Sequence, residues 1–347
     1  MKKRDPDKII GGMFGLQATP DANAGFPPFF QEELIYLVNA RSGVWLLINQ
    51  LKPQQVWLPS YVCPSLIVAT SKTSTKIRFY EVDSNLKISS LSWLKQIQKG
   101  DLIILIDYFG FNIDLQNGDQ IKKRGAWILE DASQALLTGG VGQFSDFIIY
   151  SPRKFVGVPD GGILRINCDF NVDHLDFETP PTGWWLKALS ASAHRRDFDI
   201  KGGERHWFTL FKETEPSSPT GFIAMSELSK ALLQNNFDYE TISKRRVNNY
   251  KILAEKLRNL ALFPSLPKQT IPIGFPIRVK ERDNVLNMLY ANNIYPPVHW
   301  RIKDLVPLEF SDSHILASEI MTLPCDQRYD SYEMERIVKV ISEVSKC

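Results

Sequence analysis

The stretch Ser145-Asp-Phe-Ile-Ile-Tyr-Ser-Pro-Arg-Lys-Phe-Val-Gly-Val-Pro-Asp-Gly-Gly-Ile-Leu-Arg-Ile-Asn167 sets the fold of this chain. It predicts an apolar strand at 147–150, a turn carrying Lys154, a Gly/Pro loop, and a second apolar strand at 163–166. Upstream, an apolar run at 126–129 ends in Glu130-Asp131-Ala132-Ser133-Gln134. A lysine at one strand end and an acid at another suit a bound aldehyde with a basic ring nitrogen. The amine forms an imine with the aldehyde, and the carboxylate keeps the ring nitrogen protonated.

Outward from this core, runs at 55–59, 77–82 and 101–107 each predict a short buried strand, with helices expected at 64–72 and 90–99. Residues 32–51 are apolar at helical spacing on either side of Ser42-Gly43, and Ser42 suits the N-cap of a helix starting there. Strands alternating with helices predict an α/β protein with a mostly parallel central sheet. Ligands of such sheets collect beyond the carboxyl ends of the strands. Pro59, Asp107, Asp131 and Ser151 all lie just past apolar runs and are expected to face one crevice.

The pattern breaks at 169–220, where a short helix is expected at 184–194. The polar run from His194 to Trp207 reads as a charge-mixed solvated loop, or as a lid offering cations to an anionic substrate. Residues 222–259 predict one or two long helices, with Met225, Leu228, Leu232 and Leu233 on one face. A strand at 271–279, a helix at 281–292 and an amphipathic helix at 332–346 then form a smaller C-terminal α+β domain. The expected division is 1–235 for an N-terminal segment with the large domain, and 236–347 for the small domain.

Composition limits the function classes. Hydrophobic residues make up 44% and charged residues 23%, ordinary for a soluble globular protein. The 41 basic and 39 acidic residues leave a net charge of +2, without the basic excess of a nucleic-acid binder. Cys63, Cys168, Cys325 and Cys347 are scattered, as expected of reduced thiols in a cytoplasmic protein. Neither they nor His174, His194, His206, His299 and His314 pair at metal-ligand spacing, so no metal is expected. The basic start precedes too short an apolar run for a signal peptide, and no stretch approaches a membrane span.

Together these residues resemble the DegT/DnrJ/EryC1/StrS group. The resemblance rests on Ile128-Leu-Glu-Asp-Ala-Ser-Gln-Ala135, on Gly142-Gln-Phe-Ser-Asp146, and on Lys154 followed by Gly161-Gly162. Weaker echoes are Arg41-Ser-Gly-Val44, Leu58-Pro-Ser-Tyr61, Tyr108-Phe-Gly110, Ser226-Glu-Leu-Ser-Lys-Ala231, Arg245-Arg-Val-Asn-Asn-Tyr250 and Met321-Thr-Leu-Pro-Cys325. The resemblance implies the three-layer α/β/α fold type I of pyridoxal-phosphate-dependent transferases. It implies pyridoxal 5'-phosphate as cofactor and a homodimer. It also implies an aminotransferase reaction from an amino acid, typically glutamate, to a keto sugar, free or nucleotide-linked, in polysaccharide or secondary-metabolite synthesis. The alternatives are other chemistry on that cofactor (lyase, acyltransferase, dehydratase) or a degenerate non-catalytic protein. Dehydratases of the group carry histidine in place of the lysine, which Lys154 argues against.

By the same resemblance Lys154 is the residue that bonds the cofactor, and its freed amine moves protons. Alone it would read as a solvated turn lysine. Asp131 is the ring-nitrogen partner, or else a helix N-cap. Gln134 packs beside the ring and bonds its phenolic oxygen. Ser42, Gly43 and Val44 offer a helix N-terminus to the phosphate, or form a plain cap. Val44 stands where the group has threonine, and Ile149 where it often has a phosphate-binding serine, Ser151 being the serine nearest Lys154. Tyr61 is the candidate ring-stacking aromatic, with Cys63 at the alternative register. Tyr108, His299 and Arg301 are candidate substrate contacts.

Overall fold

The computed structural model describes residues 5, 7–29, 34–113 and 118–344. Within them the strands are β1 (Ile10–Gly11), β2 (Leu34–Leu37), β3 (Gln55–Pro59), β4 (Lys76–Tyr80), β5 (Leu102–Ile106), β6 (Trp127–Asp131), β7 (Phe147–Tyr150), β8 (Gly162–Ile166), β9 (Phe275–Arg278), β10 (Ile294–Tyr295) and β11 (Ile320–Leu323). The helices are α1 (Ala40–Leu51), α2 (Pro64–Ser71), α3 (Gly118–Lys122), α4 (Thr182–Lys201), α5 (His206–Thr214), α6 (Glu227–Asn235), α7 (Tyr239–Lys256), α8 (Arg282–Ala291), α9 (Ser311–Glu319) and α10 (Ser331–Val344).

One sheet runs in the order β2-β8-β7-β6-β5-β3-β4. Strands β4, β3, β5, β6 and β7 are parallel, while β8 is antiparallel to both β7 and β2. This is the expected mostly parallel α/β sheet. The parallel strands are continuous apolar runs because both faces are covered. In β7, Phe147 and Ile149 enter one core while Ile148 and Tyr150 enter another. Val44 and Leu47 of α1 pack on the first face, and Leu232, Leu233 and Ile242 of α6 and α7 on the second. A third core gathers Tyr250, Leu253, Ile277, Leu286 and Ile337 around the antiparallel pair β9–β11, and includes Ile10.

Several expectations are corrected. Helix α1 begins at Ala40, not near Ser42, because Asn39 is extended and its side chain accepts from the Ser42 amide at 2.9 Å. The segment before it is strand β2, held by backbone pairing to β8 at the sheet edge. Residues 92–96 form only a short 3-10 turn. The helix expected at 184–194 extends over the 20 residues of α4, so His194 is helical and the polar run folds into an α4–α5 hairpin instead of a loop or lid. Arg195 is buried there, donates to Gly11 O at 3.1 Å, pairs with Asp199 at 2.8 Å and stacks on Trp207. Leu228 points outward, 38% exposed, while Met225, Leu232 and Leu233 are buried. Among the described residues, no helix is long and apolar enough to cross a membrane.

Candidate functional site

Because β3, β5, β6 and β7 are parallel, Pro59, Asp107, Asp131 and Ser151 come to the same edge of the sheet. Asp131 closes β6 opposite Ile149 of β7. Ser151 opens the turn Pro152–Lys154, where the Lys154 amide donates to Ser151 O at 3.1 Å. Two glycines permit this packing. A Cβ on Gly43 would lie 2.4 Å from Ile149 Cδ1, and one on Gly162 would lie 2.2 Å from Asn39 C. Helix α1 therefore sits directly on the strand that leads to Lys154.

Asp131 is buried, and its Oδ1 accepts from the Ser133 amide at 2.9 Å. Behind it stand two more buried acids. Asp107 accepts from the Ile113 amide at 2.9 Å, and its carboxyl is pushed well above the usual carboxylate range by burial and then by the Glu130 charge. Glu130 accepts from the Gly142 amide at 3.0 Å and from Ser145 Oγ.

Gln134 is 1% exposed. Its Oε1 accepts from the Phe109 amide at 2.8 Å, but its Nε2 has no partner. A buried donor left without an acceptor costs about 1–3 kcal/mol, so this amide marks a place for an acceptor from outside the chain. Phe109, held at a φ of +58°, puts its ring 5.9 Å from that of His299. His299 Nδ1 lies 2.9 Å from Thr322 Oγ1. Burial first, and then the Lys154 ammonium, push the imidazole down to about 3. Gln134 is thus linked through Phe109 to His299, which lies within reach of the Lys154 charge.

Tyr61 and Tyr108 brace this edge. The Tyr61 hydroxyl donates to His299 O and accepts from the Trp300 amide at 2.7 Å, while the Tyr108 hydroxyl donates to Tyr61 O. The Tyr61 ring lies 5.6 Å from Trp300 and 6.0 Å from Tyr108, so it is packed among aromatic neighbours. Arg301 is apart from this group, 71% exposed and 3.8 Å from Asp283.

The first turn of α1 is roofed by residues 218–221. Asn39 Nδ2 donates to Ser218 Oγ at 2.9 Å and to Pro219 O at 2.7 Å, and the Gly221 amide donates to Ser42 Oγ at 3.4 Å. Val44 lies in the core, so its side chain offers no polar group to a ligand. Sequence reasoning missed the charged group beside this turn. Arg153 Nη2 meets Glu215 at 2.6 and 3.2 Å, and Glu215 is held below its ordinary value by Arg153 first, with Arg41 and Lys154 adding to the effect. Glu215 is separated from Lys154 by the whole α4–α5 hairpin, so no local motif announces it.

The set fits pyridoxal phosphate: a lysine, a buried acid on the neighbouring strand, an orphaned amide donor three residues beyond that acid, and a pair of arginines near the lysine. A cavity of about 940 Å³ lies elsewhere, between Phe14, Arg195, Gly202, Arg245 and Arg328, and includes neither Lys154 nor Asp131.

Residues 68–342 match the DegT/DnrJ/EryC1/StrS aminotransferase family. No curated protein matches the sequence significantly. Similar solved structures include PseC of Helicobacter pylori, an aminotransferase involved in pseudoaminic acid biosynthesis, at 14% identity and a TM-score of 0.67, covering 90% of this chain and 86% of that one. DesV of S. venezuelae matches at 16% identity and 0.64, covering 91% and 86%. The sugar aminotransferase CalS13 of Micromonospora echinospora matches at 13% identity and 0.59, covering 89% and 87%. At these identities the likeness shows the fold.

Proposed function

Because this chain belongs to the DegT/DnrJ/EryC1/StrS aminotransferase family, and is therefore a pyridoxal-phosphate-dependent enzyme, we propose that it moves an amino group from an amino acid to a keto sugar. Glutamate is the proposed donor, and a nucleotide-linked sugar the proposed acceptor. Similarity to PseC and CalS13 supports the sugar class. The observation that carries the reading is the orphaned, buried Gln134 Nε2, three residues beyond Asp131.

When bound, pyridoxal phosphate supplies an electrophilic carbon and an electron sink. Asp131 would hold the proton on its ring nitrogen, where a carboxylate in a buried site acts strongly. Gln134 Nε2 would offer the cofactor a hydrogen-bond donor. Lys154 would hold the cofactor covalently, and its amine, when free, would serve as the base and acid that moves a proton at the substrate carbon. His299 stays uncharged at neutral pH, so it can face substrate without repelling the Lys154 ammonium. Tyr108, whose hydroxyl is committed to Tyr61 O, shapes the wall of the site.

The proposal includes a homodimer. Leu186, Ile200 and Phe208 are exposed apolar side chains on the α4–α5 hairpin, which supports burial against a second copy. Sedimentation of the loaded protein tests this, and a monomer across all concentrations would contradict it.

A single-turnover experiment tests the reaction. Adding glutamate is expected to convert the cofactor's long-wavelength absorbance to that of its amine form, and a keto sugar is expected to reverse the change. Absence of any conversion with a panel of amino acids would reduce the protein to a cofactor binder.

A further inference from the structure

Beside Lys154 is a charged group whose donors outnumber its acceptors. Arg153 and Glu215 form a half-buried ion pair, closest at 2.6 Å. That pair occupies Arg153 Nη2, while Arg153 Nε is buried without a partner. Arg41 Nε, on the first turn of α1, is also buried and unpartnered, as is Thr220 Oγ1 in the segment covering that turn. The other acid near Arg153 is Asp160, whose carboxylate is already engaged: Oδ1 accepts from Ser226 Oγ and Ser229 Oγ at 2.5 Å each, and Oδ2 from the Ser226 amide at 2.7 Å. Glu215 also lies within reach of the Arg41 and Lys154 charges, so two guanidinium groups and one ammonium face a single carboxylate. One monoanion cannot satisfy those donors, whereas a dianion with three terminal oxygens can. Arginine is suited to this because its planar fork matches phosphate geometry.

We propose that Arg41 and Arg153 form the subsite for the cofactor's phosphate, and that Glu215 is the internal counter-anion that the phosphate displaces. This rests on the reading of Lys154 as the attachment point. It gives the site a built-in competition, with Glu215 holding the arginines in place until a dianion arrives.

Titrating the protein with pyridoxal phosphate and with pyridoxal, which lacks the phosphate, separates the two assignments. Dissociation constants come from the long-wavelength absorbance of the lysine-bound form. Arg153→Gln and Arg41→Gln are each expected to weaken pyridoxal phosphate about tenfold or more, the scale of a lost charged hydrogen bond, with pyridoxal within about twofold of wild type. Arg153→Lys is expected to recover part of the loss. Glu215→Gln is expected to tighten pyridoxal phosphate and to let inorganic phosphate compete at lower concentration. An unchanged affinity in both arginine variants, or equal weakening of both compounds, overturns the subsite. Wild-type protein that bonds neither compound overturns the Lys154 assignment, and the subsite falls with it. Wild-type protein that bonds both compounds equally well overturns the subsite alone.

Discussion

Gln134 and Phe109 share one hydrogen bond, 2.8 Å from amide to side-chain oxygen, which fixes the orientation of the Gln134 amide and leaves its N–H groups facing away from the backbone. The free Nε2 is buried without an acceptor. Replacing Gln134 with leucine removes this orphan but strands the Phe109 amide. Urea unfolding of the cofactor-free variant is expected to show a loss of about 1–2 kcal/mol. Saturating pyridoxal phosphate should then stabilise the variant less than wild type. Equal stabilisation of both would show that Gln134 does not touch the cofactor.

His299 and Lys154 provide a test by titration. The unfolded imidazole takes a proton near 6.5, whereas burial and the Lys154 charge push the folded one down to about 3. Between those values the unfolded state binds more protons, so acid favours unfolding. From pH 7 to pH 5, His299→Gln should flatten the stability profile relative to wild type. Proton NMR should show His299 uncharged at pH 5, with Lys154→Met raising its titration point. A His299 resonance that titrates near 6.5 in wild type would place it outside the site.

Gly43 tests the seat of α1 on β7. A Cβ there would lie 2.4 Å from Ile149 Cδ1, so Gly43→Ala is expected to cost about 1–3 kcal/mol through overpacking. Ile149→Val removes the clashing atom, and the double variant should recover part of that cost. Strictly additive unfolding energies would contradict the contact.

Arg246 joins the Lys154 loop to the C-terminal part. Fully buried, it donates to Pro272 O at 3.1 Å, Ile273 O at 3.2 Å, Phe155 O at 3.3 Å and Gln327 Oε1 at 2.8 Å. Arg246→Met strands several acceptors, with an expected loss of about 3 kcal/mol or more by chemical denaturation. Arg246→Lys should not restore it, because an ammonium cannot reproduce the fork. Full recovery by lysine would show that only the charge matters.

The parallel strands were legible because burial on both faces makes them unbroken apolar runs, and their ends placed Asp131 and Lys154 on one edge. Strand β2 was not, because its residues are only partly buried and its apolar spacing merges with that of α1. Helix α4 hid its length because its mixed charges and exposed apolar residues leave no clear stripe. Arg41, Arg153 and Glu215 were invisible for a different reason. Their meeting depends on the return of the chain through the α4–α5 hairpin, and arginine and glutamate are common on any surface. His299 was a candidate substrate contact through the resemblance alone; its placement comes from the hydroxyl of Tyr61, which ties the 299–300 backbone to the strand ends.

Borohydride reduction of the loaded protein, followed by peptide mass analysis, measures the central claim. The cofactor is expected on the peptide containing Lys154, with loss of the label in Lys154→Met and weakened loading in Asp131→Asn. A label fixed to any other lysine, or full labelling of the Lys154→Met protein, would contradict the account.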